Sequence, residues 1–410
     1  MTSEWSLTAR WIFPVDAPPL ERGVVTIAGD CIALVESHGT RTADHDLGNA
    51  AILPGLVNAH THLDLSGARG KCPPTPDFAD WLRGIVRHRR IAPLDDVTLA
   101  IQAGITESLA FGSTLVGDIA ADGSSWNQLV DAPFRSVVFY EVIGLTRERE
   151  IQAKKKAKAW LRTHPASGNC RPALSPHAPY SVRDCLYRNV GRQCDKSNAA
   201  LATHLAESPA ELELLRHHSG PLAEFLKEME AWDPSGLMED SPARVMYECA
   251  WAKYHSMPVL FVHCNYLRPS TVFPRNGTCV YCPRTHAAFG HPPHPFREFL
   301  ARGVRLALGT DSLASNPDLD VLAEARFVHA KHGDVAGDVL LRMVTLSGAE
   351  ALGWADETGS LTPGKSADLA VLPLPNEESR DPHILLLESA LPVRGVLFRG
   401  QWTRDPTQPA

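Results

Sequence analysis

The residues best suited to chemistry in this chain are two histidines, one residue apart, at the end of an apolar run. Residues 51–64 read A-I-L-P-G-L-V-N-A-H-T-H-L-D. A strand sends alternate side chains to opposite faces, so His60 and His62 point the same way. Two imidazoles on one face suit a metal ion that takes neutral nitrogen ligands. Ordinary surface loops also contain H-x-H, so the spacing alone decides nothing. Other polar residues recur where apolar runs end. His177 lies in L-S-P-H-A-P-Y, His204 in T-H-L-A-E-S, His263 in F-V-H-C-N and Asp311 in L-A-L-G-T-D-S. One such histidine would be an unremarkable core residue bonded to backbone. Five histidines and an aspartate at five strand ends are hard to explain by packing, because polar groups buried together need partners. The pattern predicts a metal centre assembled from distant segments.

The elements that must position these residues are apolar, β-rich runs alternating with helix-like segments. The runs are Ile52–Asn58, Ser113–Ile119, Ser136–Val142, Arg171–His177, Ala199–His204, Pro258–His263, Thr278–Cys282 and Val304–Asp311. Eight runs over about 260 residues match a (β/α)8 TIM-like barrel, an α/β fold whose active site lies at the C-terminal ends of the strands. Pro209–His217 and Val321–His332 are helix candidates between or after them. The two chain ends instead read as short strands and turns. They are expected to pair into a small β-sandwich domain of residues 1–52 and 362–410, beside a barrel of residues 53–361. The longest connection, Glu207–Met257, contains G-P-L-A-E-F-L-K-E-M-E-A-W, a helix expected to cover the barrel mouth.

Composition narrows the function classes. Hydrophobic residues make up 44% and charged residues 21%, ordinary for a globular chain. A net charge of −7 argues against a nucleic-acid surface. No apolar run approaches the roughly 18 residues of a membrane span. The N-terminal segment lacks the basic start and apolar core of a signal peptide. Nine scattered cysteines make no disulfide framework and fit a reducing compartment, so a cytoplasmic location is expected. A homodimer is the default oligomer. Cys279-V-Y-Cys282 has no second pair, and no histidine is followed two residues later by glutamate, which the cytidine-deaminase zinc site requires. These cysteines are expected to pack in the seventh strand.

The motifs P-G-L-V-N-A-H-T-H, S-P-H-A-P-Y-S-V, T-H-L-A-E-S, V-H-C, L-G-T-D-S-L-A-S-N and L-T-P-G-K-S-A-D-L together resemble the amidohydrolase superfamily. The resemblance extends from the first β segment to residue 372 and is nearest to the branch of nucleobase, nucleoside and triazine deaminases with one divalent metal. It implies that His60, His62, His204 and Asp311 ligate the metal, Zn²⁺ or alternatively Fe²⁺. It implies that His263 orients the reacting water, Glu207 shuttles protons and His177 contacts substrate. The fourth run carries His177 and no lysine, so the modified lysine of binuclear members is missing.

Such a site would make hydroxide available near neutral pH, since a bound metal lowers the pKa of water from about 15.7 toward roughly 7. Asp311 would accept the water's proton, and Glu207 would protonate a ring nitrogen, which needs a carboxyl pKa raised by burial. Glu207 could instead be a solvated first-turn residue favoured by the helix dipole. Asp118, in V-G-D-I, reads as a structural support. Arg284, in C-P-R-T-H, offers a planar fork for a substrate carboxylate, in a loop that also carries His286, His291 and His294. Through H-L-A-E-S-P-A-E-L-E the chain resembles a subgroup associated with aminodeoxyfutalosine deamination in menaquinone synthesis. The expected reaction is hydrolytic release of ammonia from an aminopurine nucleoside or similar N-heterocycle. The alternatives are hydrolysis of a chlorotriazine, cyclic amide or guanine-type base, or a metal-binding homologue without catalysis.

Overall fold

Eight of the apolar runs form strands in a computed structural model that describes residues 4–238, 242–250, 257–379 and 381–406. They are β1 (Leu56–Thr61), β2 (Ser113–Ala120), β3 (Arg135–Val142), β4 (Cys170–Pro176), β5 (Leu201–Leu205), β6 (Val259–His263), β7 (Gly277–Tyr281) and β8 (Arg305–Leu308). Each pairs in parallel with the next. A parallel bridge between Thr61 and Asp311 closes the ring, and the Asp311 N–H donates to the His60 carbonyl at 3.0 Å. This is the expected (β/α)8 barrel.

Barrel strands are covered on both faces, which is why they read as continuous apolar runs. One buried cluster takes a residue of the same parity from every strand: Val57, Leu115, Val137, Ala173, Ala202, Leu260, Val280 and Ala307. Their neighbours, among them Val116, Val138, Leu174, Leu201, Phe261 and Leu306, join a larger cluster with residues of the surrounding helices.

Three helices bear on the site: α1 (Phe78–Ile91), α2 (Pro209–His217) and α3 (Val321–Lys331). In α1 the Asp77 side chain accepts the N–H groups of Ala79 and Asp80, which caps the helix. Its buried residues Phe78, Trp81, Leu82 and Ile85 recur at helical spacing. They pack with Tyr180 and with Leu222, Phe225 and Leu226 of the helix Pro221–Glu228. That helix comes from the connection expected to cover the mouth. Residues 239–241 and 251–256 of the same connection lie outside the described residues.

The N-terminal segment alone builds a four-stranded sheet and joins the C-terminal segment in a six-stranded one, and the two sheets share the cluster of Leu7, Ile12, Ile27, Ile52, Leu369 and Leu397. The expected single run Ile52–Asn58 is divided between sheets. Ala50–Pro54 pairs with Leu369–Pro373 in an end sheet, and β1 begins at Leu56 in the barrel. A boundary at residue 52 therefore falls inside a strand. The division occurs at Gly55, where a Cβ would lie 2.0 Å from Thr114 Oγ1. Gly55→Ala should cost about 1–3 kcal/mol through this overpacking. Chemical denaturation would read the loss, and Gly55→Ala combined with Thr114→Gly should recover part of it.

Candidate active site and metal centre

Local departures from regular strand geometry aim the polar side chains. Between the pairs Asn58–Val116 and Thr61–Asp118, β1 carries one residue more than β2, a bulge. Bulges re-aim side chains; above this one the rings of His60 and His62 lie 4.9 Å apart. His204 shares the inward parity of Ala202 on β5. His263 would follow Phe261 outward by simple alternation. Left-handed φ values of +69° at His263 and +60° at Cys264 break that alternation. His294 Nε2–H donates to the His263 carbonyl at 2.8 Å and helps to hold the turn. Asp311 has φ +59°; its carbonyl accepts Thr61 Oγ1–H at 3.2 Å and its Oδ2 accepts Ser315 Oγ–H at 2.9 Å.

The result is a compact set of donors. Ligand atoms of His60, His62 and His204 lie within 4.8 Å of one another, as do those of His60, His263 and Asp311. His60 Nε2 and His62 Nε2 are each 3.6 Å from Asp311 Oδ1. His204 Nδ1–H donates to the His177 carbonyl at 2.9 Å, which leaves the Nε2 lone pair facing inward. That atom is 3.3 Å from His62 Nε2. Burial depresses the pKa of His62 and His204 well below the usual histidine value, so both rings are neutral. His60 Nδ1 and Nε2 and His62 Nδ1 are buried and have no protein partner. Orphaned imidazole nitrogens beside a carboxylate are what a shared divalent cation would satisfy, and three imidazoles with one carboxylate suit zinc or iron. The donor set therefore fits the metal that the sequence pattern predicts.

Glu207 and His263 stand beside this set, with Glu207 Oε1 3.4 Å from His263 Nε2. Burial, reinforced by the charges of Asp311 and Glu211, raises the Glu207 carboxyl well above its usual range. Burial likewise keeps His263 neutral. His177 Nδ1 bonds Ser181 Oγ at 2.7 Å, and its Nε2 is 3.8 Å from Glu141 Oε1. Burial and then the nearby Arg89 lower the His177 pKa to about 3. Asp118 supports the site from behind: it accepts the Leu63 N–H at 2.8 Å and the Ser125 hydroxyl, and burial pushes it up to about 7.

The cavity at this centre measures about 50 Å³ and is lined by His62, His177, His204, His263, Glu207, Asp311, Tyr180 and Ser312. Phe78, Trp81, Leu82 and Ile85 of α1 form its apolar wall, and Arg89 and Glu141 lie at its edge. Arg89 bridges Asp64 at 3.0 Å and Glu141 at 3.2 Å. Neither Arg89 nor Glu141 was expected from the sequence. Glu141 had a legible signal, a carboxylate near the end of the apolar third strand. Arg89 had none, since R-H-R-R reads as a solvated helix face.

The expectation for Arg284 is corrected. It does not line the cavity. Its N–H and Nε bond Glu324 at 2.9 and 2.5 Å, and its Nη atoms bond Asp318 at 2.7 and 3.1 Å. Both arms of the fork are therefore taken by carboxylates of the chain itself. Through Glu324 it braces Asn316, whose side chain donates to Glu324 at 2.7 Å and to the Thr310 carbonyl at 2.6 Å, just before Asp311. His286 bonds the Pro292 carbonyl and His291 the Tyr266 hydroxyl, and neither lines the cavity. Cys279 and Cys282 are buried free thiols, as packing residues should be.

The model of the Amidohydrolase family matches residues 51–403. A 5-methylthioadenosine/S-adenosylhomocysteine deaminase of Moorella thermoacetica is 28% identical over 403 residues, covering 91% of this chain and 85% of its own. An aminodeoxyfutalosine deaminase of Nitratiruptor sp. is 27% identical over 373 residues, covering 86% and 87%. The crystal structure of Helicobacter pylori aminofutalosine deaminase with methylthio-coformycin superposes with a TM-score of 0.86 at 23% identity, covering 97% of this chain and all of that one. No helix among the described residues is long and apolar enough to cross a membrane.

Elemental analysis of the purified chain should find about one zinc or iron per molecule, and His60→Ala with His204→Ala should abolish it. Arg284→Gln should leave substrate KM unchanged. It should instead cost about 3–5 kcal/mol in denaturant unfolding, because it strands the buried Glu324.

Proposed function

The chain belongs to the amidohydrolase family, and from that membership we propose that it is a metal-dependent deaminase of adenosine-like nucleosides. As a family member it is a hydrolase of carbon–nitrogen bonds. The observation that carries the proposal is Glu207: a buried carboxyl held protonated, 3.4 Å from a neutral imidazole and beside the donor set.

His60, His62, His204 and Asp311 would hold the cation, which when bound supplies a Lewis acid that makes water acidic enough to attack near neutral pH. The chain's own groups would do the rest. Asp311 accepts the proton that the attacking water gives up. Glu207 delivers its proton to the ring nitrogen next to the amino-bearing carbon, which makes that carbon electrophilic. His263 Nε2–H donates a hydrogen bond to the incoming oxygen. The proton taken from water passes from Asp311 to the amino group, the carbon–nitrogen bond breaks to release ammonia, and the proton still on the added oxygen returns to Glu207 as the ring carbon becomes a carbonyl. Helix α1 and the helix Pro221–Glu228 exclude water from these transfers.

For the substrate's tail, the aromatic wall of Phe78 and Trp81 favours an apolar or aromatic group. Aminodeoxyfutalosine, an adenine nucleoside bearing a benzoate, fits this wall, with Arg89 in place of Arg284 as the cation near its carboxylate. A second reading rests on the two carboxylates already bonded to Arg89, which favour a neutral tail such as methylthio. Ammonia release should be measured on aminodeoxyfutalosine, methylthioadenosine, adenosylhomocysteine, adenosine and guanine. Turnover of guanine alone would refute the nucleoside assignment. Glu207→Gln should lower kcat by about 10²–10⁴-fold. Because Glu207 acts in its protonated form and its pKa is raised, kcat/KM should hold through neutrality and fall as alkaline pH removes that proton.

A further inference from the structure

We infer that Glu211 is a positioning residue whose carboxylate clamps the backbone of Ala206 and Glu207 and so sets where the Glu207 carboxyl points. The inference rests on the reading of Glu207 as the proton carrier. Glu211 lies in the first turn of α2, and the cap residue Ser208 accepts its N–H at 3.3 Å. In such an S-x-x-E capping box the glutamate ordinarily returns to the cap residue's own N–H. Here it reaches further back. Its Oε1 accepts the Ala206 N–H at 2.8 Å and its Oε2 accepts the Glu207 N–H at 3.1 Å.

Glu211 is fully buried, and its carboxylate is bonded to backbone rather than to a cation. A carboxylate in that position is costly, and Ser208 already caps the helix. The backbone it holds gives the reason for it. Ala206 adopts φ +50°, a left-handed conformation that a residue with a Cβ resists. On the other side, Asn265 Nδ2 donates to the Glu207 carbonyl at 3.0 Å and the Tyr266 N–H donates to the Ala206 carbonyl at 3.0 Å. Glu207 is thus gripped by α2 on one side and by the segment that carries His263 on the other. Its separation from His263 follows from that double hold.

The test compares Glu211→Gln with Ser208→Ala in the full chain. Glutamine has one acceptor oxygen and turns a donor NH₂ toward the second N–H, so one backbone amide loses its partner. On the panel nucleoside that the wild type turns over, kcat should fall about 100-fold while KM stays within about twofold. Amide exchange at Ala206 and Glu207 should accelerate. Ser208→Ala should loosen the start of α2 without either change. Glu211→Asp, one methylene too short to reach both amides, should behave like Glu211→Gln and serves if the glutamine variant does not fold. A folded Glu211 variant with wild-type kcat and wild-type exchange overturns the proposal. So does an equal loss of kcat in Ser208→Ala. If Glu207→Gln kept full activity, the proton-carrier reading would fall, and the exchange data would still decide whether Glu211 holds this segment.

Discussion

Everything at the mouth of this barrel depends on keeping neutral imidazoles and carboxylates together out of water. Three nitrogens of His60 and His62 have no protein partner, and the Nε2 atoms of His62 and His204 lie 3.3 Å apart. Each unsatisfied buried group costs about 1–3 kcal/mol. The polypeptide does not relieve that cost with its own side chains. It imposes the arrangement from outside, through a closed ring of strands whose alternate residues pack a solid core beneath the site.

The imposition is visible in the backbone. Ala206, His263, Cys264 and Asp311 all take left-handed φ values at the ends of β5, β6 and β8. Conformations of this kind persist only where the surroundings over-determine them. Each is in fact held by named bonds: Ala206 by Glu211, His263 by His294, Cys264 by the Leu205 carbonyl, Asp311 by Thr61 and Ser315. Behind these lies a further ring of supports. Arg284 ties the segment after β7 to Glu324 of α3, and Arg135 joins the start of β3 to Asp368 beside the end sheets. The end sheets therefore brace the barrel that aims the chemistry.

Electrostatics and shape divide the work within the cavity. Desolvation does two opposite things with one cause: it holds histidines neutral, ready to donate lone pairs, and it holds Glu207 protonated, ready to give up a proton. The apolar wall from α1 contributes to that desolvation and also shapes the space left for a ligand. Arg89 keeps Asp64 and Glu141 paired at the edge, so charge there is balanced locally rather than left to the reacting groups.

Much of this was legible in the linear sequence. Continuous apolar runs ending in His62, His177, His204, His263 and Asp311 announced a parallel barrel with polar groups at one end, because strand periodicity and burial are local properties. Spacing could not show the bulge in β1, the turn at His263 or the division at Gly55, since each depends on a neighbouring strand. Nor could it assign Arg284, which looked free for a substrate. Two carboxylates from positions 318 and 324 fold back onto it, and only the packing of α3 brings them there. Arg89 shows the converse: a helix-surface arginine in sequence, it reaches the cavity because α1 lies across the barrel mouth. Residue types and strand ends were decided by the sequence itself. Which charges were already neutralised, and which side chains were turned inward, depended on long-range contacts that local patterns do not encode.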